Sequence, residues 1–270
     1  MSHESTDIHP TAIVDPAAQL GAGVRIGPYC LVGPEARLGE GVILKSHVVV
    51  DGRTAIGAGT TIYPFASIGT APQDLKFHGE ASSLEIGAGN TIREHVTMNP
   101  GTEGGGMITR VGSGSLFMVG CHIGHDCQIG DGVVFANNAT LGGHVIVEDH
   151  ALIGGLAAVH QFVRIGRLAM VGGMTGVERD VIPYGSVMGD RARLAGLNLV
   201  GLQRRGYERA EISALRQAYK FLFLGTGTFQ ERLTRLDGDT GESGPVRDIL
   251  HFIAAASDRA LCQPQASETA

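Results

Sequence analysis

The chain has no tryptophan, and aromatic residues make up only 5% of its 270 residues, so something other than large rings must fill its core. It also contains no run of eighteen apolar residues, which argues against a membrane-spanning helix, and we expect no stable membrane insertion. Residues 1–10 lack the basic and apolar stretches of a secretory signal. We therefore expect the protein to stay in the cytoplasm.

Charged residues and cysteines are also scarce. Only 18% of the residues are charged and the net charge is -6, so the chain lacks the basic excess of nucleic-acid-binding proteins. Nucleic acid is therefore not expected as a partner. The four cysteines include no CxxC pair, which is typical of reduced thiols.

Glycine is abundant, with 41 residues, and it follows a repeat of six. Stepping by six from Ile8 to Ile68 reaches an apolar residue at every stop, and the same phase returns at positions 86, 92 and 98. After a shift of one residue, twelve further apolar stops run from Val111 to Val177. Small residues usually stand two positions before the stop. Glycine often follows the stop, where we expect tight turns with unusual dihedral angles.

Three units of six residues make an 18-residue triangular coil. Coils that stack at about 4.8 Å through parallel strands form a three-sided prism, in which residue n lies beneath residue n+18. We predict such a β-helix over residues 1–189, with external loops at 69–85 and 99–110, where the period breaks. The spacing alone leaves the hand of the coil open, because the general rule favours right-handed crossovers.

The repeat stops near residue 190, and a helical pattern of apolar residues begins. This pattern predicts helices at 208–224, 228–236 and 246–261, with a loop at 238–244. We therefore predict a small helical domain at 190–262 and a disordered polar tail at 263–270.

Four histidines lie within two predicted coils, at positions 122, 125, 144 and 160. None falls on an apolar stop or a small-residue position, so all four should project outward. Adding 18 to His125 gives Gly143 and then Gln161, while adding 18 to Asp126 gives His144. Imidazole, carboxylate and glycine amide therefore share one patch. Such a patch can deprotonate a hydroxyl nucleophile and stabilise an oxyanion, which indicates acyl transfer.

Several stretches resemble one family, the UDP-N-acetylglucosamine acyltransferases of lipid A synthesis, a branch of the hexapeptide-repeat acyltransferases. These stretches are Leu44-Lys-Ser-His-Val-Val-Val, Gln73-Asp-Leu-Lys-Phe, His122-Ile-Gly-His-Asp-Cys, Ala136-Asn-Asn-Ala-Thr-Leu, Ala158-Val-His-Gln-Phe and Gly201-Leu-Gln-Arg-Arg-Gly-Tyr. The resemblance covers nearly the whole chain. It implies a left-handed β-helix that forms a homotrimer. It also implies transfer of a 3-hydroxyacyl chain from acyl carrier protein to the 3-hydroxyl of UDP-N-acetylglucosamine, the first step of lipid A and lipopolysaccharide biosynthesis.

The same resemblance assigns roles to individual residues and implies neither a metal nor a cofactor. His125 is the general base, Asp126 orients it, and the Gly143 amide stabilises the oxyanion, in agreement with the stacking argument. The substrate-binding assignments are Asp74 and Lys76 from a neighbouring subunit, His122, His144, His160 and Gln161 along the cleft, Gly173 for acyl-chain length, and Asn198, Arg204 and Arg205 for the nucleotide or the carrier protein.

Four positions depart from the family pattern. Asn99 and Pro100 replace a histidine and an arginine beside the second loop, Val200 replaces a glutamate, and Arg191 replaces a histidine. Some relatives act on a sugar whose 3-hydroxyl is replaced by an amine, and Asn99 is a candidate sign of such a substrate. N-acylation by the same mechanism therefore stays open.

Other functions on this fold are less favoured. A sister N-acyltransferase normally carries an extra amino-terminal domain, whereas the repeat here starts by Ile8. A coenzyme A-dependent acetyltransferase is a weaker alternative. A zinc carbonic anhydrase would need three histidines that converge across subunits. A structural or ice-binding solenoid would present a flat face of repeated threonine or asparagine, but the outward positions here are irregular.

Overall fold

The computed structural model describes residues 5–242 and 244–265, which form a left-handed parallel β-helix followed by four α-helices. The predicted fold class is therefore confirmed. Residues 1–4 of the predicted β-helix range and residues 266–270 of the predicted disordered tail lie outside the described residues.

The β-helix consists of short strands, most of them two residues long. In chain order they are β1 (Asp7–Ile8), β2 (Ile13–Val14), β3 (Gln19–Leu20), β4 (Arg25–Ile26), β5 (Leu31–Val32), β6 (Arg37–Leu38), β7 (Ile43–Leu44), β8 (Val49–Val50), β9 (Arg53–Ile56), β10 (Thr61–Ile62), β11 (Ser67–Ile68), β12 (Ser83–Ile86), β13 (Thr91–Ile92), β14 (Thr97–Met98), β15 (Ile108–Val111), β16 (Leu116–Phe117), β17 (His122–Ile123), β18 (Gln128–Ile129), β19 (Val134–Phe135), β20 (Thr140–Leu141), β21 (Ile146–Val147), β22 (Leu152–Ile153), β23 (Ala158–Val159), β24 (Arg164–Ile165), β25 (Met170–Val171), β26 (Gly176–Val177), β27 (Gly185–Met188) and β28 (Arg193–Leu197).

Three sheets form the sides of the prism, and successive strands enter them in turn. Sheet 1 begins with β1, β4 and β7, sheet 2 with β2, β5 and β8, and sheet 3 with β3, β6 and β9. Neighbouring coils pair residue n with residue n+18, as Phe117 pairs with Phe135 and Phe135 with Ile153. Sheet 1 ends in the antiparallel hairpin β27–β28, which crosses the predicted domain boundary at 189/190.

Turns of four residues join the sheets, and we name each prism edge after the two sheets that it connects. Edge 1–2 includes the turns at 118–121, 136–139, 154–157 and 172–175. Edge 2–3 includes the turns at 124–127, 142–145 and 160–163. Edge 3–1 includes the turns at 130–133, 148–151 and 166–169.

The apolar stops fill the prism as the period predicts. Every stop from Ile26 to Val177 is buried, and so are the small side chains of Cys30, Cys121 and Cys127. Ile8 at the first stop is 40% exposed, because it lies in the first coil of the described residues. A core of this kind gains its stability from closely packed aliphatic side chains rather than from rings.

At most turns the glycine that follows an apolar stop serves a different purpose from the expected one, whereas Gly69 has the expected left-handed backbone with φ of 85°. A β-carbon at Gly57 would lie 2.5 Å from the backbone of Gly87, and one at Gly154 would lie 2.5 Å from the amide nitrogen of Gly173. Close approach of the next coil therefore requires glycine at these positions. The left-handed dihedral angles occur two residues later in the turn, where residues such as Asp126, His144 and Phe162 have φ values of 60°, 62° and 66°.

Two loops leave the prism, the first loop at residues 69–82 and the second loop at residues 99–107. The second contains a short 3-10 helix, Glu103–Gly105. Both loops are three residues shorter than predicted, because β12 and β15 pair along their whole length in sheet 3. The loops contact each other, since Glu103 N donates to Glu80 Oε1 at 3.3 Å and the Asn99 amide donates to Thr70 O at 3.0 Å.

The four helices are α1 (Leu199–Arg204), α2 (Arg209–Leu224), α3 (Phe229–Asp239) and α4 (Pro245–Ala254). No helix among the described residues is both long and apolar enough to cross a membrane. Helix α3 continues through Gly238, which the sequence analysis assigned to a loop.

The carboxyl-terminal segment differs most from its prediction. Helix α4 ends at Ala254 instead of continuing to residue 261, because the segment after it returns to the prism. Asp180 N donates to Ala260 O at 2.9 Å, and Cys262 N donates to Asp180 O at 2.8 Å. The first residue of the predicted disordered tail is also held, since Leu194 N donates to Gln263 O at 3.0 Å.

Candidate functional site

Edge 2–3 brings together the largest group of predicted site residues. His122 lies on β17, and His125 and Asp126 lie in the turn that follows it. The next coil places Gly143 and His144 in the corresponding turn, because Leu141 pairs with Ile123. One coil further, Val159 pairs with Leu141 and places His160 and Gln161 on the same edge.

His125 and Asp126 form a directly hydrogen-bonded pair. Nδ1 of His125 lies 2.7 Å from Oδ2 of Asp126, and the carboxylate side chain is fully buried. The left-handed backbone of Asp126 is stabilised by its amide N–H, which donates to Thr109 Oγ1 at 2.7 Å. His125 lies outside the prism, as predicted, but it is only 8% exposed because the two loops cover it.

The carboxylate of Asp126 is also held by the second loop. Thr102 donates twice, from its amide to Oδ1 at 2.9 Å and from its hydroxyl to Oδ2 at 2.6 Å. His144 Nδ1 lies 3.9 Å from Oδ2. A buried carboxylate requires such donors, because an unpaired charge away from water is strongly unfavourable.

The first loop adds a second carboxylate on the opposite side of the imidazole. Oδ2 of Asp74 lies 3.9 Å from Nε2 of His125 in the same chain. We expected Asp74 and Lys76 to reach the site from a neighbouring subunit, whereas the structure brings Asp74 to the histidine of its own chain. The reason is local, because the first loop leaves the prism on edge 2–3, only two coils below His125. Lys76 is exposed on this loop, close enough for its charge to act on His144.

Gly143 lies directly against the ring of His125. A β-carbon at position 143 would come within 2.4 Å of Cε1 and 2.5 Å of Nε2 of that ring, so only glycine leaves room for it. Among the described residues, the Gly143 amide N–H donates no hydrogen bond, while the neighbouring amides of Gly142 and His144 do. The Gly143 amide, which has no acceptor among the described residues, therefore lies beside His125, the candidate general base.

The surroundings of the other two histidines nearest this pair lower their pKa values. Burial lowers the pKa of His122, with a smaller contribution from His125, and its Nδ1 lies 2.7 Å from Thr97 Oγ1. Burial also lowers the pKa of His144, and the nearby Asp126 opposes that shift. The His144 ring stacks on Phe162 with centroids 4.4 Å apart and contacts His125 edge-on.

His160 and Gln161 lie at the upper end of the cluster and contact a residue that sequence reasoning missed. An Arg259 guanidinium nitrogen lies 2.7 Å from His160 Nδ1, and Arg259 Nε donates to the Gln161 carbonyl at 3.1 Å. Arg259 comes from the segment after α4. The helical pattern assigns Arg259 to a helix at 246–261, so nothing in the sequence indicates that this segment returns to the prism.

Four predicted substrate residues lie on other edges. Gly173 is exposed on edge 1–2. Asn198 caps α1 by accepting from Gly201 N at 2.9 Å and donates to Leu168 O on edge 3–1 at 2.9 Å, so both its oxygen and its nitrogen are hydrogen-bonded within the chain. Arg205 lies 2.8 Å from His150 Nδ1 on edge 3–1, and Arg204 is exposed. Within a single chain, these four residues therefore do not lie beside His125.

The four departures from the family pattern also have clear positions. Asn99 is 3% exposed and donates to the carbonyls of Thr70 and Ala71 at 3.0 and 3.3 Å, so it joins the second loop to the first. Pro100 beside it is buried. Val200 is 58% exposed, and Arg191 pairs with Glu178 at the surface.

His125, Asp126 and His144 are also the group of described residues whose ligand atoms come close enough together to suggest a metal. Ligands of a tetrahedral zinc ion at about 2.0–2.1 Å lie roughly 3.3 Å from one another. The separation of 2.7 Å between Nδ1 and Oδ2 is that of a hydrogen bond. Asp126 Oδ2 also accepts from the Thr102 hydroxyl, so this arrangement fits an acid–base pair better than a zinc site.

Sequence reasoning missed Thr102, Thr109, Phe162 and Arg259. Adding 18 to His144 gives Phe162, so the stacking rule contained that contact. Thr102 ends the stretch Thr97-Met-Asn-Pro-Gly-Thr, which also contains the departures Asn99 and Pro100. The two threonines act through loop contacts that the repeat does not predict.

Comparison with known proteins agrees with this architecture. Residues 180–262 match the family model described as domain 2 of UDP-N-acetylglucosamine O-acyltransferase, and residues 17–52 and 108–143 match the bacterial transferase hexapeptide repeats. The acyl-[acyl-carrier-protein]–UDP-N-acetylglucosamine O-acyltransferase of Caulobacter vibrioides is 52% identical over 96% of this chain and 98% of its own. That of Paracoccus denitrificans is 58% identical over 75% of this chain and 77% of its own.

Solved structures give the same result. The UDP-N-acetylglucosamine O-acyltransferase of Moraxella catarrhalis superposes with a TM-score of 0.91, at 41% identity over 95% of this chain and 99% of that one. Similarity of this extent spans both the β-helix and the helices. The chain therefore belongs to the family of UDP-N-acetylglucosamine O-acyltransferases.

Proposed function

We propose that this chain transfers a 3-hydroxyacyl group from acyl carrier protein to the 3-hydroxyl of UDP-N-acetylglucosamine, with His125 as the general base. The observation that carries the proposal is the 2.7 Å hydrogen bond between His125 Nδ1 and Asp126 Oδ2, on an edge where Gly143 lies against the same ring. The names of the relatives supply the two substrates and, through them, the first step of lipid A biosynthesis.

The reaction follows from the protonation pattern of this pair. When Nδ1–H donates to Asp126, Nε2 carries the free lone pair and can accept a proton. Nε2 removes the proton of the sugar hydroxyl while the oxygen attacks the thioester carbonyl carbon. The carbonyl electron pair moves to oxygen, and the Gly143 amide donates a hydrogen bond to this oxyanion. Asp126 stabilises the imidazolium that forms.

Collapse of the tetrahedral intermediate completes the transfer. The carbonyl double bond forms again, the carbon–sulfur bond breaks, and the departing thiolate takes the proton from His125 Nε2. The products are the ester and the free thiol of the carrier protein. These steps involve no covalent enzyme intermediate and use neither a metal nor a cofactor.

We assign the remaining residues of edge 2–3 to the substrate. Asp74 lies 3.9 Å from Nε2 of His125, where its carboxylate can accept a hydrogen bond from another polar hydrogen of the sugar and so orient the reacting hydroxyl toward the base. Other side chains of edge 2–3 and the first loop suit the sugar, the diphosphate and the start of the acyl chain. They are Lys76, His122, His144, His160 and Gln161. Arg204 and Arg205 suit phosphate or the acidic carrier protein, and Asn198 holds their helix.

The working enzyme is a homotrimer in this proposal. Gly173 lies on edge 1–2 and His125 on edge 2–3, so a cleft that contains both residues requires edge 1–2 of a neighbouring chain. Edge 1–2 also exposes large apolar side chains that a second copy would cover, since Tyr29, Leu156 and Met174 are 62%, 61% and 74% exposed. The acyl chain would then end near Gly173, where the absence of a side chain leaves room for a longer chain.

We place the enzyme in the cytoplasm. All four cysteines are buried and unpaired, which is compatible with a reducing compartment. Acyl carrier protein and a sugar nucleotide as substrates agree with this location.

The 3-hydroxyl is the preferred acceptor over the 3-amino analogue. The reason for considering the amine was Asn99, and its amide is engaged with the carbonyls of Thr70 and Ala71 rather than open to a ligand. Asn99 therefore joins the two loops in this chain and offers its amide to no acceptor sugar.

The test offers purified protein both UDP-N-acetylglucosamine and its 3-amino analogue, with 3-hydroxyacyl carrier proteins of several chain lengths, and follows acylated product by mass spectrometry. We expect product with the hydroxyl sugar, its loss in His125→Ala, and unchanged activity in His251→Ala, where the histidine is exposed on α4. Product with the amino sugar alone would mean that the acceptor is the 3-amine rather than the 3-hydroxyl. Absence of product with either sugar would overturn the proposal.

A further inference from the structure

The Asp126 carboxylate is held at both of its oxygens by one residue of the second loop. Thr102 donates to both of its oxygens, from the amide to Oδ1 at 2.9 Å and from the hydroxyl to Oδ2 at 2.6 Å. Thr102 is itself only 5% exposed. A carboxylate that accepts from two donors on one residue is restricted in both rotation and position.

Oδ2 of Asp126 receives two hydrogen bonds, one from the Thr102 hydroxyl and one from His125 Nδ1. The hydrogen bond from the Thr102 hydroxyl therefore sets the direction from which Oδ2 accepts the hydrogen bond of His125. If the hydroxyl were absent, the carboxylate could rotate about its χ2 bond, a soft torsion with a broad minimum. The imidazole would then lose the partner that keeps its proton on Nδ1.

The second loop is built to approach this carboxylate closely. A β-carbon at Gly105 would lie 2.0 Å from Cγ of Asp126, so the loop backbone passes directly over the carboxylate. The loop is anchored at its base, where the Asn99 amide donates to the carbonyls of Thr70 and Ala71 in the first loop. The same loop thus fixes Thr102 and restricts the first loop, which carries Asp74.

We propose that Thr102 is a positioning residue of the reaction: its amide and hydroxyl hold Asp126 in the one orientation that keeps the proton on His125 Nδ1 and the lone pair on Nε2. This inference rests on the proposed function for its catalytic consequence. The geometry on which it depends is present without substrate. Thr102 does not touch the reacting atoms and acts through Asp126.

The decisive variants are Thr102→Val, which keeps the shape and the amide but removes the hydroxyl, and Thr102→Ser, which restores the hydroxyl. We expect Thr102→Val to lower kcat by roughly ten- to a hundredfold, the loss typical of one hydrogen bond to a charged group, with KM little changed. Thr102→Ser should return most of the activity. Thr60→Val is the matched control, since it removes another buried hydroxyl that accepts from a backbone amide inside the prism.

A proton NMR measurement separates this inference from the proposed function. The Nδ1 proton of His125, hydrogen-bonded to Asp126, should give a downfield resonance in the substrate-free protein that disappears in His125→Ala. We expect the resonance to be lost or shifted in Thr102→Val and retained in Thr102→Ser and Thr60→Val. An unchanged resonance and unchanged kcat in folded Thr102→Val would overturn the inference. An inactive wild-type enzyme that shows the expected resonance changes would overturn only the proposed function.

Discussion

The imidazole of His125 lies against the α-carbon of Gly143, one coil further along the prism. A β-carbon at that position would come within 2.4 Å of the ring, which is closer than any real side chain allows. The contact joins the proposed base to the proposed oxyanion donor. It also makes glycine at position 143 a requirement of the site rather than of the turn.

We therefore predict that Gly143→Ala abolishes most activity while leaving the protein folded. The methyl group would displace the His125 ring and the oxyanion position together, and the loss of one oxyanion donor alone typically lowers kcat about 10²–10³-fold. Folding should survive because the backbone at 143 lies outside the left-handed region. Steady-state kinetics and circular dichroism measure the two effects.

Gly238→Ala on α3 is the control for this substitution, because a β-carbon there meets open space. It should stabilise the helix by about 0.5–1 kcal/mol and leave kcat unchanged. Full activity of Gly143→Ala would show that the ring does not need its present position.

A second prediction concerns Arg259, which contacts His160 and the Gln161 carbonyl. Arg259→Gln should free these two residues and raise KM for the sugar nucleotide by about tenfold, the effect of losing hydrogen bonds worth about 1.5 kcal/mol, with a smaller change in kcat. Initial rates at varied sugar nucleotide test this. Arg37→Gln, an exposed arginine on sheet 3, should match the wild type. A normal KM in Arg259→Gln would mean that the contact only secures the chain terminus.

A third prediction follows from the lowered pKa of His144. Because burial lowers this pKa in the folded protein, the unfolded chain binds the proton at higher pH, and the free energy of unfolding falls as the pH drops below about 6.5. His144→Phe preserves stacking on Phe162 and removes the titration. Its stability should therefore fall less between pH 7 and pH 5, although His122, whose pKa is also lowered, keeps part of the effect.

Urea unfolding at several pH values measures this difference. His251→Gln on the exposed face of α4 should show the acid sensitivity of the wild type. Equal slopes of stability against pH for the wild type and His144→Phe would contradict the prediction.

A fourth prediction concerns the contact between the helices and the prism. Tyr184 is fully buried, and its hydroxyl donates to the Asp248 carboxylate on α4, which also lies 3.6 Å from Arg167. Burial and this hydrogen bond raise the pKa of Tyr184. Tyr184→Phe should therefore destabilise the protein by about 1.5–3 kcal/mol, because the carboxylate loses a donor.

Chemical denaturation measures that change, and hydrogen exchange should localise it to α4. Tyr207→Phe serves as the comparison, since its hydroxyl lies 3.5 Å from that of Tyr184 and makes at best a weak hydrogen bond. Equal stabilities for the wild type and Tyr184→Phe would mean that the helices dock through apolar contacts alone.

The period of six determined the prism and, through the n+18 rule, part of the site. It predicted that Gly143 lies above His125 and His144 above Asp126, and both pairs are neighbours in the structure. These contacts are readable from the sequence because a stacked coil has one repeating geometry. The hand of the coil followed from the family resemblance, since the spacing is the same for either hand.

Only the tertiary structure decided the contacts made by segments outside the repeat. It brought Asp74 to the His125 of its own chain, placed Thr102 over Asp126, and turned the chain after Ala254 back so that Arg259 reaches His160. It also showed that glycine after the apolar stop, as at Gly57 and Gly154, is required by the close approach of the next coil rather than by its own dihedral angles. Loops and termini follow no period, so their paths depend on packing between residues far apart in the chain, and a repeat encodes only the packing between successive coils.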